Sequence, residues 1–183
     1  MSSGVIEHSL ADQPDLGRRQ GAMYQVAREL DFCYGHRLLN YPGKCRHLHG
    51  HNGRAIITLE AESLDERGML VDFADIKQKV QRWVDDNLDH NMILCKDDPI
   101  VPVLQAQGER FFLMDSNPTA ENIARLIFDH AYQAGLPVVK VQLWETANCH
   151  ASYQMTSGMA TAHGLANAWR EPTWREVHDD SIV

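Results

Sequence analysis

Between His51 and Glu62 the chain alternates with a period of two: Ala55, Ile57, Leu59 and Ala61 share one face, and Asn52, Arg54, Thr58 and Glu60 share the other. Successive side chains of an extended chain point to opposite sides, so this segment predicts a strand with one face on a core and the other in water. Tyr24, Val26, Leu30 and Phe32 repeat at the same period between Met23 and His36. They predict an earlier strand, joined to the first-named one through a loop at Asn40 to Gly43.

Helical spacing follows. Asp72 is a good N-cap, and Phe73, Ile76, Val80, Trp83 and Val84 predict a helix that ends near Asn87 to His90. A second helix opens at Asn117-Pro118-Thr119 with Glu121 in its first turn; Ile123, Leu126, Ile127 and Ala131 form its inward stripe, and Gly135 closes it. Val138 to Thr146 and Ala151 to Thr156 alternate again and read as two strands joined by the short turn Ala147-Asn148-Cys149. The stretch from Asn91 to Asn117 has only fragmentary periodicity, interrupted by Pro99, Pro102 and Gly108, and reads as a long loop.

The order strand, strand, helix, helix, strand, strand predicts an α+β fold: a four-stranded antiparallel sheet of two hairpins with two helices on one face. No Pro/Gly-rich break divides the 183 residues, so we expect one domain over 23–158, with a flexible arm over 1–22 and an extension over 159–183. Such a sheet keeps open edges, and a homo-oligomeric ring in which subunits pair across them is the expected remedy.

A formal charge of −8 argues against nucleic acid as a partner. No apolar run approaches the roughly 18 residues of a membrane span, and Met1 to Gln20 lacks the apolar region of an export signal. A cytoplasmic protein with reduced cysteines is the expectation. A small anionic substrate would need only a local basic patch, for which Arg37, Lys44, Arg46 and Arg54 are candidates.

The densest chemistry is Cys45-Arg46-His47-Leu48-His49-Gly50-His51-Asn52. Residues two apart on a strand point the same way, about 6 to 7 Å apart, which suits His49 and His51 converging on one ion. An antiparallel hairpin would return His36 to the same end. His47 has the parity of the pair and competes with His36 on pattern alone. Three imidazoles leave one zinc position open, as catalytic sites require, and leave Cys45 unligated. Nearby cations and a metal would favour the Cys45 thiolate; taken alone, Cys45 reads better as a small buried residue. Asp89-His90 offers a carboxylate that orients an imidazole for proton transfer, or simply a His at a helix end. Glu145 shares a face with Val139, Val141 and Leu143. It reads either as a strand-end acid in water or as an acceptor for a flat, guanidine-like edge. Thr119 is a helix-start residue or also a pocket hydroxyl.

Taken together and in order, Gly35-His36, Gly43-Lys44-Cys45, His49-Gly50-His51-Asn52, Val71-Asp72-Phe73, Leu88-Asp89-His90, Pro118-Thr119-Ala120-Glu121-Asn122 and Trp144-Glu145-Thr146 resemble the 6-pyruvoyl/6-carboxytetrahydropterin synthase family. The resemblance runs from about Tyr24 to Tyr153. It implies a tunnelling fold, a stacked ring such as a hexamer with sites between subunits, and 7,8-dihydroneopterin triphosphate as substrate. It also implies zinc on His36, His49 and His51, proton transfer by Cys45, Asp89 and His90, and pterin anchoring by Glu145, with Thr119 helping from an adjoining subunit. Cys45, separated by three residues from His49-Gly50-His51 and followed by Arg46, is similar to the queuosine-pathway members, which make 6-carboxytetrahydropterin, rather than to the biopterin-pathway members. The stretch from Lys96 to Asp115 is longer than in compact members of that family.

Overall fold

A computed structural model describes residues 22–155. The expected arm over 1–22 and the extension over 159–183 fall almost wholly outside them. Strands β1 (Tyr24–His36) and β2 (His49–Ala61) pair antiparallel over their full length, from Tyr24 opposite Ala61 to His36 opposite His49. The register brings the even residues of β1 and the odd residues of β2 to one face. There Leu30, Phe32, Ala55, Ile57 and Leu59 are buried. Towards the tip of the hairpin the same face continues as Tyr34, His36, His51 and His49. The imidazoles are therefore the polar end of an otherwise apolar stripe.

The first predicted helix is present from Asp72 onward, built as α1 (Phe73–Ile76), a π-turn (Lys77–Gln81) and α2 (Arg82–Asn87). Asp72 accepts the Ala74 N–H at 2.8 Å and caps it. Its buried residues are Ile76, Val80, Val84 and, just beyond, Leu88. A strict four-residue repeat drifts by about 40° per step on an ideal α-helix, and the wider π-turn absorbs that drift. Phe73, expected to point inward, is half exposed. The helix α4 (Ala120–Gln133) is capped by the Thr119 hydroxyl rather than by Asn117, buries Ile123, Ala124, Ile127, Phe128 and Ala131, and ends at Gly135 with φ +78°. The strands β5 (Val138–Thr146) and β6 (Cys149–Gln154) form the second hairpin, and β5 pairs antiparallel with β2.

The long loop expected over Asn91 to Asn117 is not a loop. It contains β3 (Asn91–Cys95), α3 (Val101–Ala106) and β4 (Phe111–Met114). β3 lies parallel to the end of β1, and β4 lies parallel to β3, so the sheet has six strands in the order β4-β3-β1-β2-β5-β6 and is mixed. The four-stranded antiparallel expectation is corrected accordingly. Both added strands are short, continuous apolar runs, Met92-Ile93-Leu94-Cys95 and Phe111 to Met114, which a period-two template misses. No helix among the described residues is long and apolar enough to cross a membrane.

The added unit is fastened to the site-bearing hairpin by an ion pair. Arg37, next to His36, donates through Nε and Nη2 to both carboxylate oxygens of Asp98, a side chain with no exposed surface. Asp98 Oδ1 also accepts the Ile100 N–H at 2.9 Å. The Arg37 bonds, aided by the Ile100 N–H and opposed by burial, hold Asp98 below the usual carboxylate range. Because this folded-state value is depressed, the stabilisation is complete above the unfolded carboxylate's pKa of about 4 and is lost as pH falls through the lower folded value. Asp98→Asn is expected to cost about 2 kcal/mol at pH 7, less than the roughly 3–5 kcal/mol for a fully buried broken pair, because Arg37 is 22% exposed. Urea unfolding of parent and variant should show that gap at pH 7 and a narrower one near pH 3.

Candidate active site

The register of β1 and β2 puts His36 directly opposite His49, and His51 one inward position further along β2. Their candidate ligand atoms all lie within 4.8 Å of one another. His36 Nε2 is 3.0 Å from His49 Nε2 and 3.2 Å from His51 Nε2. The far nitrogens explain the arrangement. His36 Nδ1 lies 2.7 Å from the Pro118 carbonyl, and His49 Nδ1 lies 2.8 Å from the His47 carbonyl. A carbonyl only accepts, so both Nδ1 atoms carry the proton and both Nε2 atoms turn a lone pair inward. Two lone pairs facing each other at 3.0 Å repel unless a cation or a shared proton lies between them. Burial pushes the His36 imidazole below its ordinary pKa, opposed by the Pro118 bond and by Glu145, which favours the neutral, ligating form. The donor set fits zinc: three neutral nitrogens, no thiolate, and two of them oriented by backbone carbonyls. His47, the competitor on pattern, enters through its backbone carbonyl; its ring nitrogen Nε2 accepts from Arg46 at 3.2 Å.

Glu145, at the end of β5, reaches the same place. Its Oε1 is 3.8 Å from His36 Nε2 and 4.0 Å from His51 Nε2, and accepts the Tyr34 hydroxyl at 2.9 Å. Burial, then the charge and the hydrogen bond of Glu145, push the Tyr34 phenol far above its ordinary range, so the hydroxyl is a donor and not a phenolate. An acid in line with Val141 and Leu143 thus has partners within the fold.

A cleft of about 1120 Å³ is lined among others by His51, Glu145, Asp89, His90, Cys33 and Trp144, but not by His36 or His49. His90 is 73% exposed, and its Nδ1 is 2.7 Å from Asp89 Oδ2. Asp89 Oδ1 accepts the Cys33 N–H at 2.7 Å, and the His90 N–H donates to the Cys33 carbonyl at 2.6 Å. These bonds hold His90 at φ 55°, a left-handed conformation uncommon for a residue with a side chain. Although burial pushes Asp89 up, the Cys33 N–H, the His90 bond, and the charges of His90 and Arg110 outweigh it and hold the carboxyl below its usual range. Asp89 therefore stays a carboxylate that keeps the proton on His90 Nδ1.

Not every expected residue meets there. Cys45 is half buried in a 3-10 turn over Lys44–Arg46, and its carbonyl accepts the Leu38 N–H at 2.8 Å. It is not among the residues lining the cleft, whereas Cys33 is, with its Sγ 3.2 Å from Asn52 Oδ1. Thr119 spends its hydroxyl on the α4 cap. Of the four basic candidates, Arg37 is held by Asp98 and Arg54 by Glu29 and Asp31. Lys44 and Arg46 have no acidic partner among the described residues. Tyr34, Cys33 and Pro118 were missed by sequence reasoning, and only the even parity of Tyr34 on β1 pointed inward beforehand.

The chain's relatives share this core. Residues 25–156 match the family model described as 6-pyruvoyl tetrahydropterin synthase. The 6-carboxy-5,6,7,8-tetrahydropterin synthase of Rickettsia typhi is 37% identical over 138 residues, covering 69% of this chain and 97% of that protein. The 6-pyruvoyl tetrahydrobiopterin synthase of Pongo abelii is 33% identical over 147 residues, covering 72% of this chain and 90% of that protein. A solved structure from Wolinella succinogenes has a TM-score of 0.60 at 31% identity, with 73% of this chain and 98% of that chain covered. A match spanning both hairpins and every candidate site residue means that this chain belongs to the 6-pyruvoyl tetrahydropterin synthase family.

Proposed function

We propose that this protein is a zinc-dependent 6-carboxytetrahydropterin synthase, a lyase converting 7,8-dihydroneopterin triphosphate to 6-carboxy-5,6,7,8-tetrahydropterin, acetaldehyde and triphosphate on the route to queuosine. The observation that carries the reading is the convergence of three imidazole nitrogens with Glu145, where His51 and Glu145 also border the cleft that holds Asp89 and His90. The Rickettsia relative's name supports the carboxy product.

His36, His49 and His51 would hold zinc, which when bound supplies Lewis-acid stabilisation of the substrate's side-chain oxygens. Glu145 accepts N–H bonds from the guanidine-like edge of the pterin and so fixes the ring's register in the cleft. His90, with its Nδ1 proton pinned by Asp89, exchanges protons through Nε2. Cys45 is the second proton carrier, four residues before His49 and tied through its carbonyl to Leu38, two residues after His36. Thr119 serves an adjoining subunit's site. Ring assembly is supported by two edges left unpaired among the described residues: β6 is terminal in the sheet, and β1 meets β3 only over Tyr34–His36. Four free cysteines suit a cytoplasmic setting.

The Pongo relative's name favours a second reading, a 6-pyruvoyl product. Incubating the zinc-loaded protein with dihydroneopterin triphosphate and weighing the products separates the two. Acetaldehyde with a carboxy product is the expected result. A pyruvoyl product without acetaldehyde assigns the biopterin type, and pterin binding without turnover assigns a non-catalytic zinc and pterin module.

A further inference from the structure

Tyr34 stands at the centre of the site, yet nothing in the proposed chemistry uses it. Its side chain is 3% exposed. The ring stacks on Phe32 with centroids 5.3 Å apart, and meets the His36 ring edge-on at 5.3 Å and the His51 ring at 5.7 Å. Two glycines of β2 lie against it, Gly53 beside the ring and Gly50 beside the main chain. A Cβ on Gly53 would lie 2.8 Å from Tyr34 Cε1, and one on Gly50 would lie 3.0 Å from the Tyr34 carbonyl oxygen. The hydroxyl of this enclosed tyrosine donates to Glu145 Oε1 at 2.9 Å.

We infer that Tyr34 is a positioning residue: its hydroxyl fixes the Glu145 carboxylate at the rim of the imidazole cluster and leaves Oε2 as the oxygen that receives the pterin. Glu145 needs such a hold. It sits at the last-but-one position of β5, where the pairing with β6 is irregular between Trp144 and Thr146, so the backbone there constrains the side chain less than mid-strand backbone would. Its Oε2 accepts no hydrogen bond among the described residues, while Oε1 is occupied. One bound and one open oxygen turn a freely rotating carboxylate into an acceptor with a set direction. Pre-organisation of this kind strengthens binding because the ligand no longer has to order the group it meets. The ring of Tyr34 also separates Phe32 from the imidazoles, so the apolar core ends at the residue that aims the acid.

The inference rests on the reading of Glu145 as the pterin anchor, and the experiment separates the two. Neopterin is titrated into the zinc-loaded parent and into Tyr34→Phe, Glu145→Gln and the double variant, with thermal unfolding and zinc content measured for each. Phe keeps the ring and its packing and removes only the donor. Tyr34→Phe should bind neopterin about tenfold more weakly, the scale of one hydrogen bond to a charged group. Its zinc content should be unchanged, and KM for dihydroneopterin triphosphate should rise more than kcat falls. Because Tyr34 acts through Glu145, adding Tyr34→Phe to Glu145→Gln should weaken binding by less than twofold further. If Tyr34→Phe binds like the parent while Glu145→Gln does not, the inference is overturned and the anchor stands. Should Glu145→Gln bind like the parent, the anchor reading itself falls, and the inference with it. Independent, multiplying losses in the double variant would also overturn it, because they assign Tyr34 a contact of its own.

Discussion

His49→Ala is expected to leave the protein folded but to lower its zinc affinity by well over a hundredfold, whereas His47→Ala retains the metal. Losing a residue that merely orients a ligand typically costs 10–100-fold, and His49 is itself one of the three proposed ligands. Its Nε2 is 3.0 Å from His36 Nε2, and its Nδ1 is already committed to the His47 carbonyl. His47 is the informative control because it shares the strand parity of His49 and His51 but contributes a main-chain oxygen, which alanine keeps. Competition with a chromophoric chelator, on proteins checked for native unfolding behaviour, measures both. Equal retention by the two variants would remove the assignment of ligands.

Cys45→Ala is expected to reduce kcat by 10² to 10⁴-fold, the range for a proton-transfer group, with zinc and neopterin binding intact. Cys33→Ala should lose less than tenfold. The contrast matters because Cys33, not Cys45, lines the cleft. What Asp89 and His90 take from Cys33, however, is its backbone: the N–H to Asp89 Oδ1 and the carbonyl to the His90 N–H. Alanine preserves both bonds and removes only the thiol near Asn52 Oδ1. Single-turnover kinetics on the two variants decide the matter; a large loss in Cys33→Ala with a small one in Cys45→Ala transfers the thiol's role to Cys33. An unchanged rate in both would refute thiol catalysis altogether.

The two hairpins and the two main helices were legible because each carries its own periodicity over nine or more residues. β3 and β4 were not, since four or five consecutive apolar residues look alike in a buried helix, a loop and a parallel strand. The imidazole cluster was legible for a related reason: strand parity alone aligns His49 with His51, and a hairpin closes on His36. Parity could not choose between His36 and His47. That choice was made by a full-length register that sets His36 opposite His49, and by the resemblance of the surrounding motifs.

What the sequence determined by itself was local: which faces of its strands are apolar, where its helices begin, and that imidazoles crowd the tip of one hairpin. What only the tertiary structure decided was partnership across long separations. Pro118 orients His36 from 82 residues away, Tyr34 grips Glu145 from 111 residues away, and Asp98 captures an arginine that had counted as a candidate substrate contact. Alternation fixes the side of a strand on which a side chain lies because that depends on adjacent peptide geometry alone. A hydrogen bond between distant residues depends on how whole elements pack, and no periodicity within either element records it.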